Sequence, residues 1–326
     1  MIELRHDALD FCFPEVHADA RCRIDFQRTL RIPDDKRDYP LPPGLGRFPL
    51  QHVDDFAERL PVEWLQHGGV FLPMYQAEAL WINFHGDYPC AIKIAAGKIN
   101  AVTGDPWTNT LSQDPQDYVV VPEQPWLDGF AVDKGLIRQF VAMPLGEGFS
   151  AEEQLTGAGV HGGIQIHIYP MKRQVYEDLY VRRSMLEAGP AFCAGDAAPS
   201  MGLAPGGLMH QEIYEDEYGI DAWDQNAGAR CFVHLMNSVA YLQATKHLPP
   251  QEPPSAADYT KAGLPWFDYF DAERNALAGA AKLAGLDSVA ATSIKKGQGR
   301  VSGNAPIPSP AVTAVGPHSR VREGDF

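Results

Sequence analysis

Between Gly69 and Pro170 the chain sets down one short apolar run after another, each closed by turn residues. The runs are Gly69 to Leu72, Ala79 to Phe84, Cys90 to Ala95, Lys98 to Thr103, Tyr118 to Val121, Leu136 to Met143 and Ile164 to Tyr169. Parallel neighbours in a sheet need a crossover of a dozen or more residues, usually helical, and no helical stretch of that length separates consecutive runs here. The runs are therefore expected to pair as antiparallel strands, with Ala96-Gly97 turning one hairpin. The predicted fold class is α+β and strand-rich, an antiparallel β-sandwich or partly open barrel with a few short helices.

The flanks extend this reading. Residues 21 to 32 alternate polar and apolar side chains, with Ile24 and Phe26 in one phase and Leu30 and Ile32 after a slip near Arg28, which predicts a bulged strand. His52 to Leu60 reads as a short helix ended before Pro61, Ser150 to Glu153 as a capping box, and Lys172 to Ala188 as a helix. Residues 189 to 207 are almost wholly Gly, Ala, Pro and Ser, a composition too poor in large apolar side chains to pack as an element. The expected organisation is a strand-rich main domain over 1–188, a loop or linker over 189–207, an α+β portion over 208–294 packed on the first, and a tail over 295–326. In the third part Leu208 to Tyr214 and Cys231 to Leu242 read as strands, the latter with helix as the alternative, and Ala272 to Ala284 reads as a helix capped by Asp271.

Charge narrows the partners. The net charge is −15, yet residues 291–326 hold five basic and two acidic side chains, which leaves 22 basic and 40 acidic residues and a net of −18 in the body. Such a body repels a phosphate backbone, so nucleic acid is not expected as a partner. No window approaches the roughly 18 apolar residues of a membrane helix, and the first residues carry charges of both signs; a cytoplasmic location is expected. Five scattered cysteines without a C-x-x-C pair read as reduced thiols. The apolar-dotted, Pro-rich, mildly basic tail is expected to be disordered or extended, and it is the natural element for a protein partner or for self-association beside the acidic body.

Chemistry-bearing residues gather in two places. In a strand from Ile164, the side chains of Gln165, His167 and Tyr169 share one face, and His161 and Glu153 lie close in sequence, a set that offers a general base or metal ligands. His210 and Glu212 project together from a second strand, and a divalent metal could join that pair to His167 or His234. Gly157-Ala-Gly159-Val-His-Gly162 spells G-x-G-x-x-G, but a helix precedes it and a strand follows, the reverse of a dinucleotide site, so it reads as a turn. The dipeptide Pro-Trp recurs at Trp107, Trp126 and Trp266, either pinning loops to the core or forming an aromatic ligand face. No nucleophile elbow or Walker A sequence is present. The reading is therefore a binding or assembly protein without a cofactor, with a metal-dependent hydrolase or oxygenase as the alternative.

Overall fold

A computed structural model describes residues 1–35, 37–183, 200–269, 274–299, 301–307 and 310–315. The fold is strand-rich, with one large, predominantly antiparallel sheet that stays open, and the longest described helix is Arg173–Arg183. The sheet has two halves. In the first, Ile2–Arg5, Ala8–Cys12, Arg21–Thr29, Ala79–His85, Leu136–Pro144 and Met201–His210 lie side by side in that order. In the second, Val70–Met74, Ala229–Asn237, Ile164–Pro170, Cys90–Ala96 and Val119–Val121 do the same. The halves meet at the pair Met201↔Leu235. Phe11, Ile24, Phe26 and Ile82 of the first half and Ile92, Ile166 and Val233 of the second belong to one buried cluster, so the inward faces share a core.

The period-2 pattern explains the faces. In Arg21–Thr29 the even positions Cys22, Ile24 and Phe26 are buried apolar groups of the core, while Arg21, Arg23, Asp25 and Gln27 alternate with them and point to the opposite face. The slip near Arg28 is a register shift between Gln27 and Thr29 against Gly44–Arg47. The expected hairpin across Ala96-Gly97 pairs Ile99 with Ala96. Ser150 and Glu153 form the reciprocal capping box of Ala151–Thr156, and Gly157 at φ 79° closes that helix. Gly162 and Gly163, both at positive φ, then turn the chain into Ile164–Pro170, which is the turn reading of the glycine motif.

Several expectations differ from the structure. Leu208 to Tyr214 is strand only to His210, so Glu212 lies beyond the strand rather than projecting from it beside His210, and Lys98 to Thr103 is strand only at Ile99–Asn100. Residues 201–207, read as part of a linker, belong to the buried strand Met201–His210, so the two flanking portions share one sheet. Small side chains serve there because neighbours approach closely: a Cβ on Gly206 would sit 2.6 Å from Val141 and one on Gly207 2.5 Å from the Pro33 oxygen. Cys231 to Leu242 is strand to Asn237 and helix from Ser238, so both readings hold in part. Helix occupies Ala281–Ala284 rather than the whole of 272–284. Within the tail, Val312–Val315 runs parallel to Trp266–Tyr269 as an extended strand. Residues 184–199, Phe270 to Glu273 and 316–326 lie outside the described residues. Among the described residues no helix is long and apolar enough to cross a membrane.

Candidate binding face

The outer face of the first half carries an ordered polar surface. Register places Glu3 opposite Asp10, Asp10 opposite Arg23, and Arg23 opposite His85, one row across four strands. The next row along the strands sets Asp25 opposite Asn83 and Asn83 opposite Trp126, and the row after it sets Gln27 opposite both Trp81 and Arg47. Directly opposed residues on one face are close enough to interact.

Asp25 is the centre of this surface, with a side chain wholly removed from solvent. Gln27 Nε2 donates to its Oδ1 at 2.5 Å. Its Oδ2 lies 2.9 Å from His85 Nε2, 3.2 Å from Arg47 Nε and 3.4 Å from Asn83 Nδ2. His85 Nε2 also lies 2.7 Å from Asn83 Nδ2, so one edge of the ring is held between the carboxylate and the amide while the side chain stays about one-third exposed. Arg23 donates to both oxygens of Asp10 at 3.3–3.4 Å and to the Arg5 carbonyl at 3.1 Å. Trp126 meets Trp81 edge-on at 6.3 Å and Tyr269 at 4.9 Å, and both indoles are half-buried. A cavity of about 560 Å³ opens beside this network, lined by Glu3, Arg5, Asp10, Arg21, Arg23 and His85. Its volume lies in the range of about 300–1,000 Å³ usual for small-molecule sites.

The residues expected from the sequence fall elsewhere. His167 is on the outer face of the second half, where Lys93 and Arg230 are its cross-strand neighbours. Its Nδ1 lies 2.8 Å from the Tyr169 hydroxyl, which donates to the Asn109 carbonyl. Burial, followed by the Arg230 and Lys93 charges, holds His167 down at about 4, so it is neutral at pH 7. Lys93 is buried, and its ammonium donates to Thr108 Oγ1 at 2.7 Å, the Thr110 carbonyl at 2.6 Å and Asp117 Oδ2 at 2.5 Å. All three of its donors are used to pin the loop that carries Trp107, whose ring lies 5.6 Å away. Gln165 likewise donates to the Gly97 carbonyl.

Glu153 is consumed by its cap. Burial raises its pKa, but the Ser150 hydroxyl and the amides of Gly148, Ser150 and Gly146 outweigh that, and the net shift is downward. His161 meets His67 edge-on at 5.9 Å, and burial lowers its pKa, helped by Lys98 and His67. His234 stacks on Trp64 at 4.4 Å and lies 3.0 Å from the Gly68 carbonyl; burial holds it at about 4. His210 pairs with Asp38 at the exposed far edge, and Glu212 lines a small cleft with His210, Trp126 and Tyr269. Each histidine has its own partners, and among the described residues no three His, Cys, Asp or Glu side chains are placed to hold a metal. The three Pro-Trp indoles do not meet either. Trp107 belongs to the second half, Trp126 to the first, and Trp266 is wholly buried with its Nε1 donating to Thr260.

Of the residues on this face, Trp126 is named as a candidate from the sequence alone, and Asp25, Asn83, His85, Trp81 and Arg23 are not. The available signal was the polar phase of two alternating strands, Arg21-x-Arg-x-Asp-x-Gln and Trp81-x-Asn-x-His, which only the sheet register brings together. Comparison of the chain with protein-family models, with curated proteins and with solved structures finds no match.

Proposed function

We propose that this chain is a binding protein whose recognition face is the outer surface of the first half of the sheet, taking a small polar ligand in the cavity beside His85. The observation that carries the reading is the buried Asp25 carboxylate fixed by Gln27, Asn83, His85 and Arg47 directly beneath that surface. Burying a charge is costly unless it is paired and hydrogen-bonded. Here the pairing orders two groups, His85 and Asn83, that reach the surface with donor and acceptor capacity in fixed positions, beside indoles that offer apolar area. A cytosolic setting fits the thiols, since Cys12, Cys22, Cys90 and Cys231 are free.

Thermal unfolding across a panel of millimolar polar metabolites tests this. Binding to the folded state stabilises by about 2.7 kcal/mol at a hundred times the Kd, so a ligand of the face raises the midpoint of the wild type and not of His85→Ala. Ligands that stabilise both proteins equally refute the proposed face.

A second reading, self-association through the tail, draws on the parallel pairing of Val312–Val315 with Trp266–Tyr269. The same strand supplied by another copy would join two chains, and deletion of 297–326 would then lower the mass in solution. An unchanged mass rejects it.

A further inference from the structure

We infer that the cavity beside His85 receives a saccharide bearing a carboxylate, such as a hexuronate or a short acidic oligosaccharide. This rests on the binding-face reading above and names the ligand class. Three features of the site lead there.

The first is the alternation of acceptors and donors along one row. Glu3 and Asp10 only accept, Arg23 only donates, and an imidazole such as His85 can do either. Hydroxyl groups both donate and accept, so a run of neighbouring hydroxyls can satisfy such a mixed wall.

The second is the indole surface one row further along. Trp126 is opposite Asn83, two residues from His85, which is about 7 Å along a strand. The indole lies outside the cavity lining, so a ligand longer than one ring is needed to reach it; a pyranose has an apolar face of C–H groups, which a half-buried indole is suited to cover.

The third is an unspent cation. Arg23 is paired with Asp10, and Arg5 with Glu3. Arg21 lines the same cavity, is exposed, and among the described residues has no carboxylate or carbonyl partner. It lies opposite Cys12, one row from Arg23, so an exposed guanidinium borders the cavity beside that row. A planar guanidinium matches a carboxylate through two parallel N–H···O bonds. On a chain of net charge −15, a free arginine at a cavity rimmed by hydrogen-bonding groups marks the place for one anionic group.

Isothermal titration of the full chain with a linear hexuronate trimer and with the matching neutral hexose trimer tests the inference. The acid trimer is expected to bind about tenfold or more tightly than the neutral one, as a charge-assisted pair implies. Arg21→Ala should bring the two affinities together, and His85→Ala should weaken both trimers; Arg21→Lys should recover only part of the preference. Equal affinities in the wild type, or an acid preference unaltered by Arg21→Ala, overturn the carboxylate assignment while leaving the binding face standing. Binding of neither trimer, with another polar ligand still lost in His85→Ala, overturns the saccharide class alone. If no ligand in the panel depends on His85, the inference and the reading beneath it fall together.

Discussion

Lys93 is the group most easily mistaken for a catalytic amine, and its geometry makes a different demand. The side chain is 1% exposed, and Asp117, its ionic partner, is 10% exposed. The three ammonium donors go to Thr108, Thr110 and Asp117, and Asp117 Oδ1 also accepts from the Ser112 amide at 2.9 Å. The whole loop after Ile99–Asn100 is thereby tied to the sheet. Lys93→Met keeps the apolar stem and removes the charge, leaving Asp117 buried without its counter-ion, a change that costs about 3–5 kcal/mol. Asp117→Asn in the same chain removes the orphaned charge and keeps an oxygen for Ser112, so the double variant should be more stable than the sum of the single losses implies, by about 1–3 kcal/mol of coupling. Urea unfolding of the wild type, both single variants and the double variant measures this, with limited proteolysis reporting on the 104–117 loop. A Lys93→Met loss under about 1 kcal/mol, or strict additivity with no faster cleavage of the loop, would refute the claim that Lys93 is a clamp.

Other outcomes follow from buried groups and close backbone approaches. Burial pushes the Asp128 carboxyl up to about 7, so the folded chain holds a proton that the unfolded chain releases near pH 4. Its contribution is full below pH 4 and is lost as pH rises toward 7; Asp128→Asn should remove a slope of up to about 1.4 kcal/mol per pH unit in that window, read from urea midpoints. His234, held at about 4 by burial, has the opposite sense: stability is full above about pH 6.5 and falls as pH drops toward 4, and His234→Phe should flatten that acid limb. Gly163 sits at φ +61°, and a Cβ there would lie 2.7 Å from the Val233 carbonyl, so Gly163→Ala should cost more than about 1 kcal/mol by denaturant titration.

Much of the fold was legible because alternation and turns are local. Ile164–Pro170, Leu136–Pro144 and Cys90–Ala96 fall within a residue of the expected runs, and the phase slip in Arg21–Thr29 is the observed bulge. Met201–His210 was hidden because its Gly, Ala and Pro residues advertise a loop, and their value appears only when neighbouring backbones close on them. The site was less legible. Polar residues such as Arg23, Asp25 and Asn83 read as ordinary solvent-facing positions, and nothing local distinguishes an exposed aspartate from one that three strands bury. Histidines were conspicuous in the sequence for their chemistry, but His167 and His234 owe their positions to packing against Tyr169 and Trp64.

The six tryptophans provide the most direct test of the binding face. Trp64, Trp223 and Trp266 are buried, Trp107 stands on the second half of the sheet, and Trp81 and Trp126 are half-buried on the first. In a titration with the hexuronate trimer followed through the assigned indole N–H resonances, Trp81 and Trp126 should shift in a saturable way while the other four hold still. Movement of Trp107 with Trp81 and Trp126 unmoved would place the ligand on the opposite half and contradict the account.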